Sequence, residues 1–129
     1  MSTEAQRFIY ENIDSIGLLE ALLFLSSDPS KPWTCSALAR ELRNNPNSVA
    51  NYLERLTAMK LVRQLPPGEE FVFDESSELK GVVGELAGLY KMQRHKLIEL
   101  IYSPLKKARD FSEAFLLPSQ KGKKEEDNG

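Results

Sequence analysis

Asn47, Asn51 and Arg55 recur at four-residue intervals, with Ser48 beside the first of them. In a helix that spacing brings all four side chains to one outer face. Short amides and hydroxyls both donate and accept hydrogen bonds, and a guanidinium donates from a rigid fork. Such groups suit the edges of bases in a DNA major groove, where each base pair shows its own donor and acceptor pattern. Val49, Leu53 and Leu56 fall on the opposite, inward face. Tyr52 adjoins Ser48 and Asn51; its hydroxyl could meet a phosphate, or its ring could close the core, and both readings stay open.

Other chemistries are poorly supplied. His95 is the only histidine, without cysteine or acidic neighbours in a metal-ligand pattern. One histidine also leaves little acid–base capacity near neutral pH. Gly81, Gly84 and Gly88 lack the spacing and the Lys-Ser/Thr of a phosphate loop. Cys35, the single cysteine, adjoins Leu38 and Ala39 at helical spacing and reads as a packing residue. No enzyme, metal or cofactor is expected.

The elements around the polar face are punctuated clearly. Thr34 can cap a first helix whose apolar side is Ala37, Leu38 and Leu42. Arg43-Asn44-Asn45 breaks it. Asn45-Pro46 restarts a second helix, since Asn is a favoured cap and proline fits the first helical position. Leu61 to Leu65 and Glu70 to Phe73 read as two strands around a Pro66-Pro67-Gly68 turn.

At these residues the chain resembles the winged helix-turn-helix proteins, especially compact bacterial transcriptional regulators of the MarR and ArsR kind. The likeness rests on Ala37-Leu38-Ala39, on Val49-x-x-x-Leu53-x-x-Leu56 and on Leu61-Val62, and covers roughly Ile13 to Phe73. The resemblance implies a mainly α fold with a small β-wing, double-stranded DNA as partner, and neither catalysis nor an obligatory cofactor. Asn47, Ser48, Asn51, Tyr52 and Arg55 would then face bases or nearby phosphates, while Arg43 and Arg63 hold the backbone from the turn and the wing root. One departure stands out. The family's usual glycine before Leu61-Val62 is Lys60 here, which predicts a different exit from the second helix.

Outside this segment the reading divides the chain into an N-terminal arm (1–12), the winged helix-turn-helix domain (13–75), a helical dimerisation region (76–117) and a solvated tail (118–129). There Phe8, Ile9 and Tyr10 could form an arm or a short helix packing on a neighbour. Asp14 or Ser15 caps a central helix, IGLLEALLFLSS, apolar on most sides and so buried on most sides. Asp28 to Pro32 is a loop, and Trp33 should pack under the wing or against the central helix.

Ser76 or Ser77 is expected to cap a helix running to Ser103, about 37 Å long at 1.5 Å per residue. That is longer than so small a domain can cover. Leu86, Leu89, Leu97 and Ile101 are therefore expected to anchor a homodimer, with the three glycines giving a close crossing or mild bend. The competing outcome is a break near Gln93-Arg94 that folds the helix back over its own domain. Ser103-Pro104 opens a last helix striped by Leu105, Ala108, Phe111 and Phe115, the two phenylalanines clasping the partner or folding back.

At 129 residues, 41% hydrophobic and 28% charged, the chain reads as one globular domain. No apolar run reaches membrane-spanning length, the N-terminus lacks signal-peptide character, and one cysteine fits a reducing cytoplasm. The net charge of −2 conceals a pattern. Residues 34–63 carry five basic against two acidic groups, 64–89 one against six, and 90–109 six against one. One face can thus be positive while the whole is acidic. Glu69 and Glu70 beside the turn would repel DNA phosphates, which favours the rival reading of a winged-helix protein–protein interaction module without DNA binding. No residue set identifies a small-molecule effector.

Overall fold

The computed structural model describes residues 1–103. Its elements are α1 (Thr3–Asn12), α2 (Ile16–Ser27), β1 (Trp33–Thr34), α3 (Cys35–Leu42), α4 (Pro46–Ala58), β2 (Val62–Leu65), β3 (Glu70–Phe73) and α5 (Lys80–Ile101). The strands form one antiparallel sheet in the order β1-β3-β2. The protein is thus mainly helical with a small three-stranded sheet.

Ser15 caps α2 through Leu18 N–H, and Leu18, Leu19, Ala21, Leu22 and Leu25 disappear into the core. The helix is central, as its composition predicts. Below it α3 and α4 pack on each other, with Leu38 and Ala39 facing Val49, Leu53 and Leu56 in the same core. Trp33 packs against the central helix, as expected, and is itself part of the sheet. It pairs with Phe71 across β1 and β3, meets Phe24 of α2 edge-on at 5.2 Å, and carries Lys31 over its ring at 4.2 Å.

Of the two forms expected for residues 1–12, the structure shows the short helix, packed into this core. Ser2 caps α1, and Ala5, Phe8 and Ile9 are buried where α1 packs against α5. Ser2 also ties the two helices together: its amide and hydroxyl donate to the Glu85 carboxylate at 2.7 and 2.6 Å. Those bonds hold the Glu85 carboxyl below its ordinary range, the hydroxyl contributing most.

The expected long helix is corrected in three respects. It starts at Lys80 without a side-chain cap, because Ser76 bonds Asp74 and Ser77 accepts from Leu79 N–H in a preceding turn. Gln93 leaves helical geometry (φ −144°, ψ 51°), so the helix breaks where the competing reading placed a break. Third, Leu86, Leu97 and Ile101 are buried by their own chain, at 2% exposure or less. Side chains with no exposed area cannot contribute area to an interface, so these three are core residues and not dimer anchors. Leu89 is half-buried against the same core. Phe111 and Phe115, the rest of the predicted last helix and the tail lie outside the described residues.

Within the chain, Gly81, Gly84 and Gly88 mark no close crossing. A Cβ at any of them would meet nothing within 4 Å. Among the described residues, no helix is long and apolar enough to cross a membrane.

Candidate nucleic-acid interface

The turn between α3 and α4 is built from local bonds. Thr34 Oγ1 accepts from Ala37 N–H to start α3. The helix ends with Arg43 in the left-handed region (φ 54°), its N–H reaching Arg40 O while Asn44 N–H reaches Ala39 O. Together these are the paired bonds of a Schellman motif. Asn45 Oδ1 then accepts from Asn47 N–H at 2.7 Å, and Pro46 opens α4.

The far end of α4 repeats the device. Lys60 N–H bonds Thr57 O and Leu61 N–H bonds Leu56 O, with Lys60 at φ 64° and Leu56 and Leu61 both buried. Helix exit therefore follows the left-handed geometry that glycine would adopt, and the departure expected from Lys60 does not occur. A non-glycine residue costs about 1 kcal/mol there. A cation near a helix C-terminus recovers about 0.3–1 kcal/mol from the dipole. Both left-handed positions flanking α4 thus carry exposed cations, whose attraction to the helix dipole offsets part of the backbone cost.

Between those ends, α4 turns Val49, Leu53 and Leu56 inward and leaves Asn47, Ala50, Asn51, Glu54 and Ala58 exposed. Ser48 is half-buried at the edge of this stripe. Arg55 leaves it altogether. Its Nη1 donates to Asp14 Oδ1 at 3.0 Å and its Nη2 to the Asn12 carbonyl at 3.2 Å, clasping the α1–α2 junction. Arg55 is therefore engaged within the protein and not free for a base or phosphate. Tyr52 is half-buried with its ring against Gly17, which has no room for a side chain. Of its two open readings, the structure supports core closure.

Arg43 and Arg63 are exposed at the turn and on β2, as are Arg40 and Lys60. Arg63 has a carboxylate nearby: Asp74 is held below the ordinary range, chiefly by the Ser76 hydroxyl, then by the Ser76 amide, with the Arg63 charge adding to the effect. The β2–β3 turn exposes Glu69 and Glu70, and Gln64 there donates to the Gly68 carbonyl.

Comparison with protein-family models, curated proteins and solved structures finds no match for this chain. The interface therefore stands on its own geometry.

Of the four residues that spacing places on one face, the structure keeps Asn47 and Asn51 exposed there, sets Ser48 at its edge and draws Arg55 to Asp14. The sequence reading missed Ala50, Glu54 and Lys60, although Ala50 and Glu54 lie three and seven residues beyond Asn47 on the same stripe. Among the described residues no His/Cys/Asp/Glu group could hold a metal ion, and Cys35 donates weakly to the Pro46 carbonyl at 3.5 Å. Away from α4, a concavity of about 740 Å³ lies between α2 and α5, lined by Leu23, Phe24, Phe73, Val83 and Ala87 among others. At its rim Tyr90 donates to Glu20 and accepts from Arg94 Nε at 3.1 Å. Burial and then Glu20 push the Tyr90 hydroxyl up. With Arg94 Nη2 also 3.4 Å from Glu20, this cluster ties α5 to α2 from both sides of the Gln93 break.

Proposed function

We propose that this protein is a cytoplasmic winged-helix DNA-binding regulator of transcription, acting as a homodimer and resembling the MarR and ArsR kind. The observation that carries the reading is the outer face of α4. Asn47, Ala50 and Asn51 form an exposed stripe of amides and a methyl group, with exposed cations at both helix ends. Amides suit adenine edges, and a small methyl suits the thymine methyl. Arg43, Lys60 and Arg63 would bind phosphates, positioning the domain without reading sequence. The element order, with a short strand before α3 and a hairpin after α4, is the order this fold requires.

Pairing of two copies would set two reading helices about one DNA turn apart. It is supported by Met92 and Tyr102, exposed at 82% and 56% on and just after α5, and by the apolar spacing of Leu105, Phe111 and Phe115 that follows in sequence.

Glu69 and Glu70, exposed at the hairpin tip, favour a second reading as a protein–protein interaction module. Mobility shift on random genomic fragments at low and moderate salt separates the two. A regulator retards DNA at low salt and loses it steeply as salt rises. An interaction module retards none.

A further inference from the structure

We infer that Glu54 is a specificity-determining residue that selects cytosine at one position of each half-site; the inference rests on the DNA-binding reading above. Glu54 is exposed on the same stripe as Asn47, Ala50 and Asn51, one helical turn beyond the last two. From Asn47 to Glu54 the helix rises about 10 Å, a span of about three base steps.

Its carboxylate does no work for the fold. Among the described residues no ion pair or hydrogen bond engages it. Its helical neighbours at three and four residues are Ala50, Asn51, Thr57 and Ala58, so no cation is placed to pair with it along the helix. Arg55, the one cation α4 carries, is turned away to Asp14.

An unpaired carboxylate in the middle of a reading face accepts hydrogen bonds and donates none. The major groove offers two base donors, cytosine N4 and adenine N6. Adenine sets its N7 acceptor beside N6, where a carboxylate is repelled, so cytosine N4 is the donor Glu54 fits, through a charge-assisted bond. Guanine O6 and N7 and thymine O4 are acceptors and would be rejected. Glu54 would thus act by favouring one base and by penalising others, and its charge would weaken binding to random sequence.

Selection of duplexes from a randomised pool, with the full chain at fixed salt, tests this. Wild type should enrich a motif with cytosine at one position per half-site. Glu54→Ala should enrich the same motif with that position degenerate, the cytosine preference falling about tenfold or more. Glu54→Gln should move the preference to adenine, which a glutamine amide reads through N6 and N7. An enriched motif that is identical in wild type and both variants would overturn the inference while leaving DNA reading intact. Failure of wild type to enrich any motif would overturn the DNA-binding reading, and this inference with it.

Discussion

The Arg55 guanidinium lies 3.0 Å from the Asp14 carboxylate, and this pairing removes from the outer face of α4 the only cation the helix carries. What remains outward is amide, methyl and carboxylate. Around that face, exposed cations stand at the ends of α4 (Arg43 and Lys60), on α3 (Arg40) and on β2 (Arg63), so in the proposed function positioning and reading would fall to different residues.

Arg55→Ala should accordingly act on stability. A half-exposed ion pair contributes up to about 1 kcal/mol, and the bond to the Asn12 carbonyl about 1 kcal/mol more. Urea denaturation should show a loss of about 1–2 kcal/mol, with the ratio of affinities for selected and random duplex unchanged. A loss of that ratio at unchanged stability would return Arg55 to the reading face.

Lys60→Gly should move stability and affinity in opposite directions. Glycine relieves the left-handed position, adding up to about 1 kcal/mol to unfolding stability, less whatever the lysine gains from the helix dipole. The lost phosphate contact should reduce the slope of log affinity against log salt by about 0.9. A more stable variant with an unaltered salt slope would place Lys60 away from DNA.

Much of this arrangement is legible in the sequence because its signals are local. Thr34, Ser15 and Asn45-Pro46 start helices by bonding within a few residues, and Val49, Leu53 and Leu56 show the inward face by spacing alone. The errors come from contacts across long stretches of chain. Ser2 meets Glu85 across 83 residues, so residues 1–12 look free in sequence and are docked in the fold. Arg55 reaches Asp14 across 41 residues, which helical spacing cannot reveal. Lys91, Met92, Gln93 and Arg94 are all good helix formers, so helix propensity favours a continuous helix, and the break near Gln93-Arg94 is legible only as the alternative to a dimer. β1, only two residues long, is too short to show a period of two.

Acid should loosen the α1–α5 contact. Glu85 is held below the ordinary carboxylate range in the folded protein, first by the Ser2 hydroxyl and then by its amide. The unfolded chain therefore takes up the proton more readily. Stability from this group is present above the ordinary carboxylate pKa and is lost as pH falls through the folded value. Glu85→Gln should be less stable than wild type at neutral pH, with the difference shrinking as pH is lowered to about 3. A gap that stays constant across that range would show that the charge of Glu85 contributes nothing.

Charge reversal at the hairpin tests whether it approaches DNA. Glu69→Lys with Glu70→Lys turns two repulsive groups into two potential phosphate contacts. Affinity for random duplex should rise, and its salt slope should steepen by up to about 1.8. An unchanged slope would leave docking to α4 and its ends, or favour the interaction-module reading.

The central claim is that the outer face of α4 reads base edges, and Asn51 tests it most directly. Wild type and Asn51→Ala should be titrated, at one salt concentration, against a duplex enriched by wild type and against random duplex. The account predicts that wild type prefers the enriched duplex by about a thousandfold or more. Asn51→Ala should lose about 1–3 kcal/mol on that duplex and bind random duplex as before. Equal losses on both duplexes, or no change on either, would contradict it.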